Sequence, residues 1–101
     1  MIHASLLVTA LQAGGLGALQ LEVRFIGNEG FELSDGETTI LTDLPYEPGA
    51  HGYMEYDPGV LDPSGRVVSL ITHRHTDHFD EDLFLARDWS IIGPEEVTER
   101  L

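Results

Sequence analysis

The sequence predicts an α/β domain: a mixed β-sheet with flanking helices. Three observations lead there. Residues 21–43 read as short strands joined by tight turns, which is antiparallel pairing. Residues 67–92 read as strand, helix and strand, a spacing that demands a right-handed parallel crossover. Within the second segment stands His73-Arg74-His75-Thr76-Asp77-His78, placed directly after the apolar run at 67–72. The carboxyl end of a buried strand is where open α/β sheets build their sites.

Taken in order, residues 1–20 carry no Asp, Glu, Lys or Arg. The apolar stretch at 6–11 is too short to span a bilayer, which needs about twenty apolar residues. With small residues following it, the segment reads as a signal peptide and predicts export, periplasmic or extracellular; a leader on a cytoplasmic protein is the alternative. The folded part is expected from Leu21. Leu21, Val23 and Phe25 alternate with Glu22 and Arg24, the pattern of a strand with one buried face. Asn28-Glu29-Gly30 is a turn signal, and Phe31-Glu32-Leu33 alternates again. Ser34-Asp35-Gly36-Glu37 supplies an Asp-Gly hairpin turn, and residues 38–43 form a β-rich third strand. Residues 45–65 hold four Pro and four Gly, and a loop of that length inside a compact domain is usually functional or disordered. Asp80-Glu81-Asp82 opens a helix running to about Arg87, its acids suited to the positive amino end. Trp89-Ser90-Ile91-Ile92 is a short buried strand. Gly93-Pro94-Glu95-Glu96 starts another helix, with Pro at the first position.

The chain has 101 residues, enough for one domain. Eighteen acids against five arginines, with no lysine, give a net charge of −13. Such a surface is poor for nucleic-acid phosphates and for anionic membranes, so neither is expected as a partner. The absence of cysteine excludes disulfides, thiolate-held zinc and thiol catalysis.

The histidine run carries the chemistry. Imidazole and carboxylate are the nitrogen and oxygen donors taken by zinc and its first-row neighbours. If the preceding strand continues, His73 and His75 share a face, and Asp77 and His78 follow in the turn, where the chain can curl back to the same point. A divalent cofactor is therefore expected, two zinc ions first, with manganese or iron accepted by the same donors.

The order H-x-H-x-D-H after a hydrophobic strand resembles the metallo-β-lactamase-fold metallohydrolases. The run Gly27-Asn28-Glu29-Gly30-Phe31 and the strand Ile40-Leu41-Thr42-Asp43 resemble the branch containing ascorbate-6-phosphate-lactonase-like proteins. The resemblance covers residues 21–101 and only the amino-terminal half of such a domain. It implies the αββα sandwich of that family when complete, and hydrolysis of an ester, lactone, amide or phosphoester of a small-molecule substrate. It implies that His73 and His75 hold one metal and that Asp77 and His78 hold the second. Asp77 is also placed as the catalytic acid or base that handles the attacking water, and Asp43 as an acid that supports the ligands from behind. The loop at 45–65 would lie near the site mouth, with His51 and Tyr53 as substrate-contact candidates. The family's remaining ligands lie in a second half, so the chain is expected to be truncated, to carry half a site and to be inactive alone. An exposed sheet face open to self-association follows. A metal-holding module without turnover, and a fragment that needs a partner chain, are the rival readings.

Overall fold

The computed structural model describes residues 6–12, 19–52, 54–63 and 65–101. Six strands form one sheet in sequence order: β1 (Leu6–Gln12), β2 (Leu19–Gly27), β3 (Gly30–Ser34), β4 (Thr38–Thr42), β5 (Arg66–Leu70) and β6 (Ser90–Ile92). Strands β1 to β4 pair antiparallel, whereas β5 runs parallel to β4 and β6 parallel to β5. The sheet is mixed, as the two kinds of connection in the sequence require. The β3–β4 hairpin turns where Asp35-Gly36 stands. The Asp35 carboxylate accepts the backbone N–H groups of Glu37 and Thr38 at 2.9 and 2.8 Å, which hold its pKa below the usual carboxylate range. Gly36 takes a φ of +95°, a conformation open to glycine at no steric cost.

The expected leader lies partly outside the described residues, and its apolar stretch has a structural role within them. β1 pairs with β2 from Leu6↔Phe25 to Gln12↔Leu19. An unpaired edge of β2 would leave a row of backbone donors and acceptors without partners, and β1 satisfies that row.

Two short helices follow the fifth strand: α1 (Glu81–Leu85) and α2 (Glu95–Thr98). Asp80 caps α1 through a hydrogen bond from the Leu83 backbone N–H at 3.3 Å, satisfying a donor that the first turn leaves free. Helix α1 separates β5 from β6, as the strand–helix–strand spacing requires. Phe84 of α1 and Val97 of α2 pack with Ile71 and Phe79 into one apolar cluster, with Trp89 and Ile91 against it.

The long segment after β4 is a loop by its irregular path, yet it supplies part of the core. Leu44, Tyr46, Tyr56 and Leu61 are buried and join Leu41 and Val67 in the main core. Tyr46 is wholly inaccessible and stands edge-on to Tyr56, ring centroids 4.5 Å apart. Among its described residues the segment holds two 3-10 turns, Ala50–Gly52 and Pro58–Val60. Its prolines and glycines shape an irregular path, while its aromatic and aliphatic residues cover one sheet face. Opposite, Phe31, Leu70 and Ile92 are 38%, 37% and 62% exposed. Leu70 is in register with Thr42 and Ile92, and Thr42 with Phe31, so these residues line one half-open apolar face.

The buried tyrosines make two tests. Tyr46→Ala should cost about 3–5 kcal/mol in urea unfolding, the usual range for deleting a buried ring. Tyr46→Phe should cost little, because the Tyr46 hydroxyl is buried without a hydrogen-bond partner. Burial, helped by the Glu29 charge, pushes the Tyr46 hydroxyl up to about 12 from 10.0. Burial, with Asp80 and Tyr46 adding to it, raises Tyr56 as well. A raised folded-state value means the folded chain keeps its proton while the unfolded chain loses it. Stability is therefore full below about pH 10 and falls as pH rises toward 12. The Tyr46→Phe, Tyr56→Phe double variant should lose that alkaline decline in melting experiments; an unchanged decline would place its cause elsewhere.

Candidate metal centre

The site forms where β4 and β5 end side by side. At the end of β4 the Asp43 backbone N–H donates to Leu70 O at 2.8 Å, extending the parallel pairing by one bond. Asp43 then turns into the left-handed region, φ 44°, where Asp is tolerated better than most residues. The Leu44–Pro45 peptide is cis, and the segment behind it runs along the histidine motif. Glu47 N–H donates to Thr76 O at 2.7 Å and Asp80 N–H to Pro45 O at 3.2 Å. On the other side, the Ser69 hydroxyl donates to Leu44 O at 3.1 Å from a fully buried position.

β5 stops at Leu70, three residues before His73. The motif is therefore a loop, and strand alternation does not set its side chains. The backbone N–H groups of His78 and Phe79 both donate to His75 O at 2.9 Å, closing a tight turn. Phe79, buried in the second cluster, pins the turn from below. The result is that His78 folds back over His73, ring centroids 3.9 Å apart.

Among the described residues, His73, Asp77 and His78 are the group whose donor atoms gather, all within 4.8 Å of one another. His75 is not in that group; its exposed ring stands edge-on to His73 at 4.6 Å between centroids. His78 Nε2 lies 3.3 Å from Asp77 Oδ2. Its Nδ1 lies 3.1 Å from Asp43 Oδ2 but without hydrogen-bond geometry, so this buried nitrogen has no hydrogen-bond partner. Two imidazoles and a carboxylate so gathered fit a first-row divalent ion. Donors about a tetrahedral ion at roughly 2.1 Å stand about 3.4 Å apart, close to the His78–Asp77 spacing.

Asp43 organises His73 through Thr72, whose role the sequence alone did not signal. Its carboxylate accepts the Thr72 backbone N–H at 2.7 Å, and both its oxygens lie within 3.0 Å of the Thr72 hydroxyl. The same hydroxyl is 2.9 Å from His73 Nδ1. A hydroxyl has one proton to give, and an ionised carboxylate has none. The hydroxyl proton therefore goes to Asp43, and His73 Nδ1–H donates to Thr72 Oγ1. The reverse assignment would press two oxygens together with no proton between them. His73 is thereby held in the tautomer that leaves Nε2 as a free lone pair, the form that binds metals.

The remaining sequence candidates fall nearby. His51 Nε2 is 3.1 Å from the Thr76 hydroxyl, so the long segment does touch the motif. Tyr53 lies outside the described residues. Arg74 points away from the donors, its Nε 3.8 Å from Glu96. An open cleft of about 760 Å³ borders Arg74, Thr76, Phe79 and Asp80, but none of His73, Asp77 or His78 lines it. Thr72 carried no signal in the sequence beyond its place next to His73.

With this geometry in view, the chain is 35% identical over 81 residues to a UPF0173 metal-dependent hydrolase from Salinibacter ruber (strain DSM 13855 / M31). The match takes in 78% of this chain and 34% of that relative, so the chain spans about a third of the length of the curated relative it matches. No protein-family model and no solved structure matches the chain. The relative's name carries metal dependence and hydrolysis, and it does not carry the lactonase branch that the Gly27–Phe31 turn resembles.

The Thr72 relay is testable by nitrogen-15 NMR of the histidine side chains. His73 should show the Nδ1-protonated tautomer in the parent and in Thr72→Ser. In Thr72→Val, which keeps the shape and loses the hydroxyl, that preference should disappear. Identical His73 signals in all three proteins would refute the relay.

Proposed function

We propose that this chain is the metal-holding portion of a metal-dependent hydrolase with the metallo-β-lactamase αββα fold. The observation that carries the reading is the convergence of His73, Asp77 and His78 at the end of β5, in a chain similar to a metal-dependent hydrolase. The similarity supports that activity in general rather than the lactonase branch, and the substrate bond, an ester, lactone, amide or phosphoester, is left at that breadth.

A bound divalent ion would supply an activated water and a Lewis acid for the bond under attack. The chain's own residues do the rest. Thr72 presents the free Nε2 of His73. The tight turn closed on His75 O sets His78 beside it. Asp77, beside His78 Nε2, holds or takes the proton of the attacking water. Asp43 stays behind the ligands and fixes their orientation. His75 is an exposed neighbour of His73, so a change of its side-chain rotamer is what brings it in as a further ligand, in keeping with the two-zinc arrangement implied by the family. Manganese or iron suits the same donors.

The match to only 34% of the relative favours a second reading for the chain by itself: a module that holds metal without turning over substrate. Positioning a substrate needs walls as well as ligands, and the half-open sheet face supplies few.

Calorimetric titration of zinc separates these readings from a chain that binds no metal. The parent should bind, and His73→Ala, His78→Ala should weaken binding by roughly tenfold or more, the scale on which even outer-shell changes act. Equal affinities would contradict the site. A panel of ester, lactone and phosphodiester substrates, run with zinc or manganese, then asks for turnover. Chelator-sensitive hydrolysis lost in Asp77→Ala would support the hydrolase reading for this chain. Metal binding without turnover would support the module.

A further inference from the structure

Glu29 reaches the same nitrogen of His78 as Asp77 does, from a distant part of the sequence. It sits in the β2–β3 turn, and its Oε2 is 3.6 Å from His78 Nε2. Asp77 Oδ2 is 3.3 Å from that atom. Both separations lie near the roughly 3.4 Å expected between two donors that share a tetrahedral ion; Glu29 stands outside the group whose donors all lie within 4.8 Å of one another, so its side chain must swing in to complete the set.

The turn that offers Glu29 is held in place. Asn28 adopts φ 51°, and its side-chain oxygen accepts the Met54 backbone N–H at 3.0 Å. The Phe31 backbone N–H donates to Thr42 Oγ1 at 3.1 Å, and Thr42 Oγ1 lies 3.5 Å from Glu29 O. Thr42 is the residue before Asp43, so the Glu29 turn and the carboxylate behind the histidines are tied to the same strand end. The Glu29 side chain is half exposed, 52%, which leaves it the freedom to close on an ion. Two carboxylates beside two neutral imidazoles also balance the charge of one dication.

We propose that Glu29 is a fourth protein donor of the cation site, so that this chain encloses a first-row divalent ion with His73, Asp77, His78 and Glu29. The proposal rests on the metal-centre reading above. It differs from the assignment implied by the family resemblance, in which the missing ligands come from outside these 101 residues. Here the β2–β3 turn supplies one, and the ion is held by side chains from two separate parts of the sheet.

The test uses zinc and cobalt(II) on the intact chain with Glu29→Gln and, separately, His73→Ala. Glu29→Gln keeps the shape and removes the charge at an exposed turn, so thermal melting should be unchanged. Zinc affinity should fall about tenfold or more. The visible d–d bands of the cobalt form, intense in four-coordinate sites, should weaken or shift in Glu29→Gln. If His73→Ala weakens zinc binding and Glu29→Gln leaves both affinity and cobalt spectrum unchanged, Glu29 is only an ion-pair neighbour of His78 and the proposal is overturned while the metal reading stands. If the parent binds neither metal, both fall together.

Discussion

Asp43 sits where β4 stops, and its buried carboxylate accepts hydrogen bonds from Thr72, from the backbone N–H at 2.7 Å and from the hydroxyl. The rest of the site hangs on that contact. It locks Thr72, the second residue beyond β5, to the end of β4, passes orientation to His73 through Thr72, and stands behind His78 Nδ1 at 3.1 Å. Hydrogen bonds to a charged group are worth about 1.5–3 kcal/mol each, enough for this one side chain to hold Thr72 and, through it, His73. The left-handed backbone at Asp43 is what aims the carboxylate across to the neighbouring strand rather than along its own.

The segment between β4 and β5 shows how packing serves that contact. A parallel neighbour cannot be reached by a tight turn, so the chain must cross over. Here the crossover is irregular rather than helical. It earns its order by burying Leu44, Tyr46, Tyr56 and Leu61 against Leu41 and Val67, and then by backbone bonds to Thr76 and Asp80. Gly27 fits the same arrangement: a Cβ there would overlap the Tyr46 hydroxyl. The core and the metal motif thus share a wall, and the phenolic layer lies directly beneath the turn that carries Glu29.

Much of this was legible in the sequence, for physical reasons. Alternation at Leu21, Val23 and Phe25 and the Asp35-Gly36 turn report local geometry, so the hairpin appears where expected. Asp80 and the acids after it announce a helix start, and α1 begins there. What the sequence withheld depended on tertiary contacts. Proline and glycine spacing in 45–65 signals an irregular path but not which tyrosines go inside. The alternation argument for His73 and His75 needed the strand to run past Leu70; the backbone leaves the sheet first, and a turn folds His78 back over His73 while His75 stands edge-on to it. Thr72 and Glu29 carry no motif of their own, and only the register of β2, β3, β4 and β5 brings them to the histidines.

The central claim is that the ends of β4 and β5 build a cation site from His73, Asp77 and His78. A crystal of the chain grown with zinc, with anomalous diffraction collected at the zinc edge, tests it most directly. The account predicts an anomalous peak between those three side chains, with nitrogen and oxygen donors at about 2.0–2.2 Å. A peak only among the exposed acids near Asp80-Glu81-Asp82, with His73 and His78 unligated, would contradict it.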